Sequence, residues 1–119
     1  MDLQLRVKTV DGATVVEVAG EIDLHWAPQL RAALIEASAA EKPCVVVDLG
    51  EVSFLDSTGI GVLVGALKRA REKGGALGFC GVKGRVRRVF EVTGLVSALP
   101  IFESCDAALE AFAREKSNG

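Results

Sequence analysis

What the sequence lacks narrows its function before any motif is read. It has a single histidine, His25, and its three cysteines, Cys44, Cys80 and Cys105, include no CxxC pair. A zinc site of the usual spacing therefore lacks ligands, and neither metal nor another cofactor is expected. No glycine-rich loop ends in Gly-Lys-Ser/Thr, which excludes a P-loop, and Gly81-Val82-Lys83-Gly84 is too short to cradle a phosphate chain. No serine sits in a Gly-x-Ser-x-Gly elbow, and one histidine without that context does not assemble a catalytic set. The expectation is a protein that is not an enzyme.

Two further absences concern surroundings. The opening Met1-Asp2-Leu3-Gln4-Leu5-Arg6 has no basic region followed by an apolar run, so it does not read as a signal peptide. The longest apolar stretches, such as residues 45–47, fall far short of a membrane span. A cytoplasmic location without membrane contact follows as the expectation. The net charge of −2 creates no global field for nucleic acid or anionic lipid, so no direct nucleic-acid partner is expected.

What is present describes one small globular domain. The chain has 119 residues, half of them hydrophobic and a quarter charged. Leu3, Leu5 and Val7 alternate with polar residues, Asp11-Gly12 signals a hairpin, and residues 14–18 form the returning strand. Pro28 suits a first helical turn, after which Leu30, Ala33, Leu34 and Ala37 recur at helical spacing until Lys42-Pro43. Residues 44–49 form a continuous β-branched run, the pattern of a central strand covered on both faces. Ile60, Leu63, Val64 and Leu67 mark a second helix ended by Gly74-Gly75. Residues 76–81 predict a strand, Val86, Val89 and Phe90 a third helix closed by Gly94, and residues 99–102 an edge strand tolerating Pro100. Ala108, Leu109 and Phe112 predict a last helix.

The reading is an α/β fold with a mixed sheet of about five strands and about four helices, an opening hairpin preceding alternating strands and helices. It places one domain over residues 1–116 and a polar tail at 117–119. Cys44 and Cys80 fall in apolar runs, where a thiol behaves as a small inert hydrophobe; Cys105, at a helix start, is left open.

The turn from the central strand into the second helix is the most informative segment. In open α/β sheets ligands gather beyond the carboxyl ends of the strands, where this turn lies. Asp56, Ser57 and Thr58 can each cap the helix, and one cap would suffice. On spacing alone, Ser57 is more simply a cap than a modified residue. Gly59 and Gly61 cost about 1 kcal/mol each relative to alanine in a first turn, which a bare surface for a partner's backbone would explain.

Beyond spacing, the stretch Phe54-Leu55-Asp56-Ser57-Thr58-Gly59-Ile60-Gly61-Val62-Leu63 resembles the signature of the STAS family, specifically anti-sigma factor antagonists. Gly20-Glu21-Ile22-Asp23 before the first helix resembles it too, as do Val89-Phe90 and Thr93-Gly94-Leu95 within residues 86–95. The resemblance implies that Ser57 is phosphorylated by an anti-sigma factor serine kinase of the GHKL type. It implies that the unphosphorylated form binds that kinase and releases the sigma factor, that phosphorylation abolishes binding, and that a PP2C-type phosphatase reverses it. The implied partner-binding residues are Glu21, Asp23, Asp56, Ser57, Thr58, Gly59, Gly61 and Val62, on a monomer or weak dimer. The same resemblance leaves a scaffold subunit of a stressosome-like complex, or of a lipid-transport ATPase, as the alternative.

Four accessory readings complete the set. Asp23 either caps the first helix or joins the partner surface. Val62, Ala66 and Arg69 predict an outward, partly apolar docking face on the second helix. Trp26 is read as core in preference to a partner anchor. Lys83, Arg85, Arg87 and Arg88 are read as a solvated basic face in preference to an anion or lipid-headgroup site.

Overall fold

The computed structural model describes residues 2–118, and their side chains through Glu115. The chain opens with β1 (Gln4–Val10) and β2 (Ala13–Ile22), paired antiparallel around Asp11-Gly12 as the hairpin signal predicts. α1 (Ala27–Ala37) then leads to β3 (Cys44–Leu55), α2 (Ser57–Glu72) to β4 (Ala76–Cys80), and α3 (Gly84–Val92) to α4 (Cys105–Asn118). α4 thus runs into the stretch expected as a tail, whose last residue, Gly119, lies outside the described residues, as does Met1.

Among the described residues the sheet has four strands in the order β1-β2-β3-β4, with β2, β3 and β4 parallel. Two successive crossovers in the same direction put α1 and α2 on one face of the sheet, as the right-handed rule for parallel crossovers requires. Side-chain alternation along the strands divides the interior accordingly. Val16, Val18, Val45, Val47, Leu77 and Phe79 face α1, α2 and α3, where they meet Leu30, Leu34, Leu63, Leu67, Val86 and Phe90. Val15, Val46 and Cys80 face the other way, against Ala108 and Phe112 of α4. The rings of Phe79 and Phe90 meet edge to face, 6.3 Å between centroids.

The expected fifth strand at residues 99–102 is reduced to one parallel bridge between Ile101 and Phe79. The Phe79 amide donates to the Pro100 carbonyl at 2.9 Å and the Phe102 amide to the Phe79 carbonyl at 2.8 Å. Pro100 has no amide hydrogen to extend such a ladder. β3, conversely, runs six residues past the expected end at residue 49. Only its first part, Cys44 to Asp48, pairs with β4; the rest pairs with β2 through two register shifts, while α3 packs against it. Its polar residues Glu51 and Ser53 are exposed, which is why this half carries no continuous apolar signal.

Cys80 is not the inert thiol its apolar run suggests. It is joined in a disulfide to Cys105, the first residue of α4. Cys44 is buried and takes no part in a disulfide.

Candidate functional site

The extended half of β3 delivers its C-terminal end to the first turn of α2, where the loop between β2 and α1 meets it. Asp56 organises this junction. Its backbone is extended, and its Oδ1 accepts a hydrogen bond from the Gly59 amide at 2.9 Å, so Asp56 is the N-cap of α2. Its Oδ2 accepts from the Leu24 amide at 3.2 Å, and its own amide donates to the Ile22 carbonyl at 3.1 Å. One carboxylate thus caps a helix and ties it to the neighbouring loop.

The choice among three capping types therefore falls on Asp56, and Ser57 is corrected from cap to first helical residue. Only the residue with extended backbone just before the helix can reach back to the third amide. Ser57 and Thr58 are exposed, and the Ser57 hydroxyl makes no hydrogen bond among the described residues.

The two glycines play different parts. Gly59 is buried: a Cβ there would lie 2.5 Å from Ile22 Cγ2 and 2.6 Å from Leu55 Cδ1. Its bareness serves packing against the ends of β2 and β3, contrary to the expectation of an open partner surface. Gly61 is exposed, and a Cβ there would meet nothing within 4 Å, so at this position the open surface exists.

Asp23 neither caps α1 directly nor stands apart from the turn. α1 starts at Ala27 after Trp26, without a side-chain cap. Asp23 Oδ1 accepts instead from the His25 and Trp26 amides at 3.0 and 3.1 Å, shaping the loop that Asp56 holds. Glu21 is half-buried on β2, opposite Phe54 in the register. Trp26 is half-buried against the main core, with His25 edge-on at 4.6 Å between centroids. Leu24 is 72% exposed and Phe54 41%, placing two apolar side chains on the loop and strand that meet at Asp56. Neither was singled out by periodicity, which marks buried faces and not exposed apolar residues.

The docking face expected from Val62, Ala66 and Arg69 is not open. Ala66 is fully buried and Val62 half-buried against the main core. α2 packs on both the sheet and α1, so its buried stripe is wider than the sheet alone requires. The exposed surface of its N-terminal half is Ser57, Thr58 and Gly61. At the start of α3 and along it, the side chains of Lys83, Arg85, Arg87 and Arg88 are exposed, and Arg87 pairs with Glu91 at 3.7 Å.

The pattern of the STAS domain matches residues 4–108. The chain belongs to the STAS domain family. The anti-sigma-B factor antagonist of Listeria monocytogenes is 39% identical over 102 residues, spanning 85% of this chain and 90% of that protein. The anti-sigma-B factor antagonist of Bacillus subtilis is 34% identical over 110 residues, spanning 92% and 100%. Among solved structures, an anti-sigma factor antagonist from Mycobacterium paratuberculosis superposes with a TM-score of 0.85 at 33% identity, covering 94% of this chain and 95% of that one. The mixed sheet and four helices described above are those of a STAS domain, with β4 as the last full strand. No helix among the described residues is long and apolar enough to cross a membrane.

Proposed function

We propose that this chain is an anti-sigma factor antagonist whose binding to an anti-sigma factor serine kinase of the GHKL type is switched by phosphorylation of Ser57. In the unphosphorylated state it occupies the kinase and so releases a sigma factor; a PP2C-type phosphatase restores that state. It acts by binding, in the cytoplasm, and not as an enzyme. The observation that carries the reading is the division of labour at the turn. Because Asp56 does the capping, Ser57 presents a hydroxyl that no group among the described residues engages, at the first position of a helix.

The chemistry of that position suits a reversible charge. A phosphate on Ser57 adds roughly −1.5 to −2 charges beside the positive end of α2, whose first amides lack intrahelical partners. The Gly59 amide is already taken by Asp56, but those of Ser57 and Thr58 precede it in the same turn. The fold therefore tolerates the modification. A partner does not: the new charge stands with Asp23 and Asp56, and a kinase holding bound nucleotide phosphates would face all three. A loss of about 3 kcal/mol at this contact weakens binding more than a hundredfold.

The test is to incubate the protein with the GHKL-type kinase encoded in its own genome and ATP, then map phosphate by mass spectrometry. Label on Ser57 is expected, and label only elsewhere sinks the assignment. Ser57→Ala should bind the kinase while resisting modification, and Ser57→Asp should bind poorly.

A further inference from the structure

Spacing along the chain hides a second cluster of chemistry. Asp48, Cys80 and Cys105 are 25 or more residues apart in sequence, yet a carboxylate oxygen and the two sulfurs lie within 4.8 Å of one another. The parallel register places Asp48 directly beside Cys80 at the end of the β3–β4 pairing, and α4 begins over that point with Cys105. Cys80 is buried, while Asp48 and Cys105 are half-buried, leaving a path to solvent.

The surroundings are built around the carboxylate. The Gly50 amide donates to Asp48 Oδ1 at 2.9 Å, which fixes its orientation, and Oδ2 accepts no hydrogen bond among the described residues. Gly81 adopts φ +71°, and a Cβ on it would lie 2.8 Å from Asp48 Oδ1; one on Gly50 would lie at 3.1 Å. Side chains at either position would crowd the group. Cys105 is the first residue of α4, with Ser104 accepting from the Ala107 amide at 3.0 Å as its cap. The positive end of a helix stabilises a thiolate there.

We propose that Asp48, Cys80 and Cys105 form a binding site for a borderline-soft divalent metal ion of the zinc type, open when the Cys80–Cys105 disulfide is reduced. Two thiolates and one carboxylate supply three positions of a tetrahedron with bonds of about 2.0–2.3 Å, and water takes the fourth. Calcium and magnesium, which demand oxygen ligands, are excluded by the two sulfurs. The chemistry balances with a dithiol as the external reductant. A dithiol gives two electrons and two protons to the disulfide, yielding two thiols and its own cyclic disulfide. The metal ion then displaces both protons as the two sulfur–metal bonds form. Disulfide and metal are thus alternative ways of fastening α4 to β4. The site lies apart from the Ser57 turn, and the proposal is independent of the antagonist reading.

The experiment uses the intact protein, reduced with a phosphine, desalted without oxygen and titrated with cobalt(II). A sulfur-to-cobalt charge-transfer band should rise and saturate at one equivalent, then bleach when zinc(II) is added. The oxidised protein should show no band. Cys80→Ser and Cys105→Ser should each abolish the saturable signal, Asp48→Asn should weaken affinity at least about tenfold, and Cys44→Ser should leave it unchanged. The measurement on reduced wild type requires no variant to fold. Absence of the band there overturns the proposal, as does its loss in Cys44→Ser or unaltered affinity in Asp48→Asn.

Discussion

Leu24 and Asp56 are 32 residues apart in sequence, yet the amide of one donates to the carboxylate of the other at 3.2 Å. The same carboxylate receives the Gly59 amide on its other oxygen. The β2–α1 loop and the start of α2 are thereby held as one surface, on which Ser57 stands exposed.

Replacing Asp56 should loosen both attachments together. Asp56→Ala is expected to cost about 1–2 kcal/mol, read from urea or thermal denaturation. Asp56→Asn, which can still cap, should cost less. If the two variants prove equally stable to wild type, the carboxylate does not hold the junction.

The glycines of the same turn should respond with opposite signs. Alanine is the better helix former by about 1 kcal/mol, so Gly61→Ala, whose Cβ meets nothing, should raise stability by up to that amount. Gly59→Ala should lower it by about 1–3 kcal/mol, because its methyl group overlaps Ile22 and Leu55. Thermal melts of the pair, measured side by side, decide the matter.

At Ser57 the fold should be indifferent to charge. Both Ser57→Ala and Ser57→Asp are expected to stay within about 0.5 kcal/mol of wild type and keep its near-ultraviolet circular dichroism. A large loss of stability in Ser57→Asp would mean that poor partner binding reflects unfolding, not an altered interface.

α3 offers a contrast between its two faces. Phe90 is fully buried against Phe79, and Phe90→Ala should cost about 3–5 kcal/mol. Val92 is 81% exposed, and Val92→Ser should change stability by no more than about 0.5 kcal/mol. Chemical denaturation of both variants checks the assignment.

The elements most legible in the sequence are those whose signals are local. Asp11-Gly12 marks the hairpin, Pro28 and the Leu30/Leu34 spacing mark α1, and the β-branched run from Cys44 marks the central strand. The features misread depend on what lies alongside. Within residues 50–55, Glu51 and Ser53 interrupt the continuous apolar run because β4 does not accompany this half of the strand, and the short alternation left with Val52 and Phe54 is too brief to announce six more strand residues. The helical spacing places Ala66 on an outer face, because one apolar stripe cannot reveal that α1 covers a second. Asp56, Ser57 and Thr58 are chemically equal candidates for a cap until the backbone distinguishes them. The meeting of Asp48, Cys80 and Cys105 needs both the β3–β4 register and the docking of α4, neither of which spacing encodes.

The sheet itself separates two interiors, one beneath α1, α2 and α3 and one beneath α4. Residues of the first support the Ser57 turn through Ile22, Leu55 and Leu63; those of the second do not reach it. Substitutions on the exposed face of α4 can therefore accumulate, and new contacts evolve on that side, without altering how the turn meets a partner. Two surfaces of one small domain are in this way free to diverge independently.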